Sequence, residues 1–223
     1  MKLYLIKITL LFLVVFFKTS HANNFSVEYN VSTSGIKIGK FNWLLEIRGN
    51  KYKSKVNLKN SGFFSPIYSF MGEYSSDGII ENNTFKSQKY TQYWKTKKKI
   101  KIVEMSFDNY LINLVQKPTE KEESRINLFK LNQYFDPITS FINILDGSVE
   151  AKTIDGRRVY IMERVDIGDS KNINITIKDY KNIWADHKRN DLKKIEFNLE
   201  EGSFFPKTIN IYFKKRVFKL KKN

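Results

Sequence analysis

The chain has 223 residues, with 39 Lys and Arg against 23 Asp and Glu, a formal charge of +16. It holds no cysteine, which excludes disulfides, thiolate metal sites, cysteine nucleophiles and a lipid-modified N-terminal cysteine. Such a basic balance points to anionic lipid, acidic envelope polymer or an acidic protein surface as partner.

Residues 1–22 read as a signal peptide. Lys2 and Lys7 give a positive start, Ile8 to Phe17 is unbroken apolar sequence, and Ser20-His21-Ala22 supplies small residues before a cut at Ala22–Asn23. A run of that length is too short for a membrane span, which needs about 20 residues. The expectation is therefore an exported, periplasmic, soluble protein with no transmembrane span after cleavage, and export speaks against nucleic acid as a partner. Residues 23–223 suffice for a single β-rich domain with one sizeable core.

The mature chain opens with Phe25, Val27, Tyr29 and Val31 alternating with polar residues, the period of a half-buried strand. Ile36 and Ile38 run in one phase and Phe41, Trp43, Leu45 and Ile47 in the other, so a bulge is predicted near Gly39. Gly49-Asn50 marks a hairpin turn into Tyr52, Val56 and Leu58, which alternate with lysines. Ser61 to Tyr74 is dense in aromatic residues; Ser65 and Pro66 suit the start of a short helix there. Strands are predicted at Phe85–Trp94, Lys99–Phe107 and Tyr110–Gln116, before an exposed connection at Pro118–Arg125.

The period then becomes helical. Asp136 suits an N-cap and Pro137 the first helical position, while Ile138, Phe141, Ile142 and Leu145 form one apolar stripe and Gly147 suits a terminator. A helix this short must pack against the sheet to persist. Further strands follow at Val149–Ile154, Arg157–Val165, Asn172–Tyr180, Leu192–Leu199, Thr208–Phe213 and Val217–Leu220. The fold class predicted is mainly β: a large curved antiparallel sheet or half-barrel wrapped around one or two short helices.

Catalytic chemistry finds little support. After signal removal one histidine remains, His187, beside Asp186 in a polar, turn-like segment. A hydrolase would need it as base, and the solvated reading is preferred, so the chain reads as no enzyme. Asp166, Asp169, Glu120, Glu122 and Glu123 have neither calcium-loop nor paired-carboxylate spacing. No phosphate loop or dinucleotide fingerprint is present, and no cofactor or metal is implied. Asp155-Gly156-Arg157-Arg158 reads as a turn whose arginines offer a polar contact to a carboxylate or phosphate, or pair with a nearby acid. Lys97-Lys98-Lys99 and Lys214-Lys215-Arg216 read as docking sites for anionic lipid or as strand ends that discourage edge pairing. Phe63, Phe64, Tyr68, Phe70, Tyr93, Trp94 and Phe141 either fill a core or line a cavity between sheet and helix.

Three stretches carry a resemblance: Tyr29-Asn30-Val31 with Gly35-Ile36-Lys37-Ile38-Gly39, the helix start Asp136-Pro137-Ile138-Thr139-Ser140, and Asp155-Gly156-Arg157-Arg158-Val159-Tyr160. In order and spacing the chain resembles an exported proteobacterial domain-of-unknown-function family, periplasmic and β-rich. The architecture is also similar to the envelope lipoprotein carriers, which implies a half-open barrel holding acyl chains. The leading expectation is a carrier-type protein holding a lipid or other apolar envelope ligand under the 136–146 helix. The alternative is an accessory protein that binds another envelope protein through its basic surface. A hydrolase using His187 stands third.

Overall fold

The computed structural model describes residues 22–61, 69–108, 111–121, 123–166, 171–184 and 191–223. The predicted signal peptide up to residue 21, the Ser65-Pro66 helix start, Phe63, Phe64, Tyr68, Glu122, Asp169, Asp186 and His187 lie outside them. Among the described residues no helix is long and apolar enough to cross a membrane.

The first strands are β1 (Ala22–Thr33), β2 (Ile36–Arg48), β3 (Lys51–Asn60), β4 (Phe70–Glu81), β5 (Thr84–Thr96), β6 (Ile100–Asp108) and β7 (Leu111–Lys117). After a short 3-10 turn at Leu128–Lys130 come β8 (Tyr134–Phe135) and the helix α1 (Pro137–Leu145). The chain closes with β9 (Glu150–Ile154), β10 (Arg158–Asp166), β11 (Asn172–Asn182), β12 (Leu192–Asn198), β13 (Thr208–Phe213) and β14 (Arg216–Lys222). All fourteen strands join one sheet in the order β7-β6-β5-β4-β3-β2-β1-β14-β13-β12-β11-β10-β9-β8. The predicted large, mostly antiparallel sheet with a short helix is what forms. One pairing departs from the antiparallel rule, since β8 runs parallel to β9.

Local chemistry sets the hairpins. Gly49, at φ +60°, turns β2 into β3 with Arg48 opposite Lys51, as the Gly-Asn pair predicts. The predicted bulge lies where Val31 faces Gly39 but Ser32 faces Lys37, so Ile38 is the extra residue that shifts the phase. The aromatic-dense segment Ser61–Tyr74 ends in strand: β4 begins at Phe70 and pairs along its length with β3 and β5.

Although β7 and β9 lie near opposite ends of the strand order, they meet in space. The Gly156 carbonyl, in the β9–β10 turn, accepts from Gln116 Nε2 of β7. A Cβ at Gly156 would stand 2.5 Å from Val103 Cγ1 of β6. A sheet whose ends touch must curl, and here it curls into an open shell around α1. The helix contacts β4 and β5 on one side and β9 on another. It is therefore buried on more than the predicted stripe: Ile138 and Ile142 are buried, but so are Thr139, Ser140, Asn143 and Ile144, while Phe141 and Leu145 are half-buried. Each buried isoleucine contributes about 1.5–3 kcal/mol of apolar burial.

Candidate functional site

The concave face of the shell has a polar region beneath α1 and an apolar region beyond it. The polar region centres on Asp136, which has no exposed surface. Its Oδ1 accepts from the backbone amides of Ile138 (2.9 Å) and Thr139 (3.1 Å), the N-cap bonds the sequence predicts. Its Oδ2 accepts from the hydroxyls of Ser76 of β4 (2.7 Å), Ser87 of β5 (2.6 Å) and Thr139 (2.6 Å). The Asp136 amide donates back to Ser87 Oγ at 3.0 Å, and the Tyr52 hydroxyl of β3 lies 2.6 Å from Thr139 Oγ1. The carboxylate thus pins the helix start to β4 and β5, and Thr139 extends the link to Tyr52 of β3. Burial pushes its pKa above the ordinary 3.8, against the opposing pull of the hydroxyls of Ser87, Thr139 and Ser76 and of the Thr139 amide. Burial also pushes the Tyr52 phenol up, with the Asp136 charge adding to it.

Farther along α1, Asn143 forms a fork on Phe85 of β5: its Oδ1 accepts from the Phe85 amide and its Nδ2 donates to the Phe85 carbonyl, both at 2.9 Å. On the opposite wall Thr153 of β9 donates to Ser140 Oγ at 2.8 Å. Ser54, Ser76 and Ser87, all buried on inward strand positions, escaped the sequence reading. Their signal was a small polar residue in the inward phase of an alternating strand.

The predicted polar contact at Asp155–Arg158 is occupied within the chain. Asp155 Oδ1 accepts from the amides of Arg157 (3.0 Å) and Arg158 (2.9 Å). The Arg158 guanidinium lies 2.8 Å from Asp155 Oδ2 and donates to the Tyr180 hydroxyl at 2.9 Å. The Tyr180 ring stacks on Tyr160 with centroids 5.9 Å apart. Arg157 precedes β10, which opens at Arg158 rather than at Arg157 as the strand prediction has it. Its carbonyl accepts from the Ile183 amide at 2.8 Å, and Trp184 Nε1 donates to the Gly156 carbonyl at 3.1 Å. This turn clasps the two ends of the sheet.

The apolar region begins at Phe141. Its ring meets Trp43 edge-on at 6.4 Å and Phe197 at 5.7 Å; Trp43 in turn meets Phe41 at 6.2 Å. Register carries the track across the sheet, with Phe41 opposite Leu58, Leu58 opposite Gly72 and Gly72 opposite Trp94. Residues directly opposite in a sheet project from the same face, so this row shares the concave face with Tyr52 and Ser76. Gly72 has no side chain where a Cβ would stand 2.8 Å from Tyr74 Cε2 and 3.0 Å from Trp94 Cε3. Trp94 lies across that gap and stacks on Phe70 with centroids 5.6 Å apart and planes 12° from parallel. Of the lining candidates, Phe70 and Trp94 are brought together, and Phe141 lies at the helix end of the same track. Tyr93, half-buried, is one step out of phase with Trp94 and belongs to the outer face.

Among the described residues no three His, Cys, Asp or Glu side chains gather where a metal could bind. A family model described as protein of unknown function (DUF3108) matches residues 24–183. No curated protein and no solved structure matches, so the expected resemblance to lipoprotein carriers is not shown.

Proposed function

The chain belongs to the family described as protein of unknown function (DUF3108), and we propose that it is an exported carrier-type protein. Its concave face would hold an apolar chain, such as the acyl part of an envelope lipid, in the part of the shell that α1 leaves uncovered. One observation carries the reading. Under α1 the inward side chains Leu45, Tyr52, Ser54 and Ser76 are buried, whereas along the next apolar row Phe41, Leu58 and Trp94 are only half-buried. A packed shell closes over its inward residues. An apolar row left half-open on a concave face supports the reading of a binding surface.

The floor suits a chain-like ligand. Gly72 keeps it flat, Trp94 and Phe41 give it aromatic faces, and the buried phenols and carboxylate behind α1 are already satisfied from within. The ligand would therefore be held by apolar contact, with the helix as the roof at one end.

Native mass spectrometry of protein purified without detergent tests this. Adducts of lipid mass are expected, and they should diminish in Trp94→Ala, whose half-exposed ring can be removed without opening the region under α1. Bare protein mass in the wild type, together with a crystal structure in which side chains fill the row, would overturn the reading.

A further inference from the structure

We propose that the outer face of β11, β12 and β13 is a binding site for a neutral saccharide. Three cross-strand rows build it. Asn172 stands opposite Asn198, and Asn198 opposite Thr208; Asn174 stands opposite Glu196, and Glu196 opposite Asn210. Thr176, Lys194 and Tyr212 make the third row. The first six residues line a depression of about 280 Å³, near the lower end of the usual ligand range of about 300–1,000 Å³. That volume suits a short saccharide rather than an extended polymer.

Concavity and composition both separate this patch from an ordinary solvated strand face. Asn174, Glu196, Asn198, Thr208 and Asn210 point away from the core, yet all are half-buried. The outer face of β3 is different: it sets Lys51, Lys53, Lys55 and Lys59 outward, all exposed. Here side-chain amides replace them. Each amide supplies both donors and an acceptor in one plane, which matches adjacent hydroxyls, each of which both gives and takes a hydrogen bond.

The patch is also preorganised. Asn198 Nδ2 donates to Asn172 Oδ1 at 2.8 Å. Glu196 accepts from Lys194 Nζ at 2.7 Å, from the Tyr212 hydroxyl and from Asn210 Nδ2 at 3.4 Å. With Lys194 beside it, Glu196 adds a fixed acceptor without net charge, which disfavours phosphate and nucleic acid. The two rows that line the depression carry no outward apolar side chain, which disfavours a docked protein. Two of the three strands, β12 and β13, lie beyond the residues the family model matches.

Calorimetric titration with maltotetraose, cellotetraose and chitotetraose tests the proposal. At least one is expected to bind with about millimolar affinity or better. The double variant Asn174→Ala/Asn210→Ala should weaken that binding about tenfold or more, at unchanged melting temperature. Lys53→Ala should leave it unaltered. Should the double variant fail to fold, Asn198→Ser read at unchanged melting temperature serves in its place. Trp94→Ala, which removes the interior floor, should leave saccharide binding intact, so the two readings fail separately. Failure of all three sugars to bind, or binding that survives loss of the asparagines, would overturn the proposal.

Discussion

At the scale of single residues, Asp136 concentrates the electrostatics of the interior. A buried carboxylate is tolerated only when donors replace the lost water, and here two amides and three hydroxyls do so. Asp136→Asn keeps the shape but puts an NH2 group against hydroxyl donors. It should cost about 2–4 kcal/mol, measured by urea unfolding. The raised pKa adds a sign. The folded state holds the proton more tightly than the unfolded chain, so this group's stabilisation is complete below about 3.8 and lost as pH rises through the folded value. The variant has no such slope, and the stability gap between wild type and variant should widen toward acid. A gap that widens toward neutral pH would contradict the assignment.

At the scale of elements, α1 is a helix of nine residues, too short to persist alone. Its attachments hold it: the Asp136 network at one end, the Asn143 fork on Phe85, and the Ser140–Thr153 bond on the far wall. Asn143→Ala would leave the Phe85 amide and carbonyl without their partner in a buried place. We expect a loss of about 1–3 kcal/mol, with hydrogen exchange at the Phe85 amide accelerating first. How legible these elements were depended on what they face. The cap, the proline and the glycine of α1 are local signals, and they located it to the residue. β1, β2 after its bulge, and β3 alternate legibly because most of their inward positions carry large apolar side chains. β4 does not, because Gly72, Ser76 and Gly78 occupy inward positions of it. A Cβ at Gly78 would stand 2.6 Å from Tyr52 Cε1, so small residues there make room for Tyr52, and the alternation that would reveal the strand is erased. The Asp136 site is half legible: its cap is a local signal, but two of its three hydroxyl donors, Ser76 and Ser87, come from strands distant in sequence.

At the scale of the whole molecule, the shell depends on its two sheet ends meeting. Gly156 makes that contact with φ +80° and no room for a Cβ beside Val103. Gly156→Ala combines backbone strain with a clash and should cost about 1–3 kcal/mol or more in a thermal melt. The Gln116 side chain and the clasp of Asp155, Arg158 and Tyr180 would loosen with it. Sequence reading found the turn but not this purpose, since its partners lie on strands far along the chain. Among the described residues the row from Phe41 to Trp94 is a half-buried apolar stretch of the concave face beyond α1, and the proposed carrier reading stands on that row. Titration with a brominated fatty acid tests it most directly, because bromine quenches only the tryptophans it touches. Saturable quenching is expected in the wild type and a clear reduction of it in Trp94→Phe, where Trp43 at the other end of the track remains. Absence of saturable quenching, or equal quenching in the variant, would contradict the carrier reading.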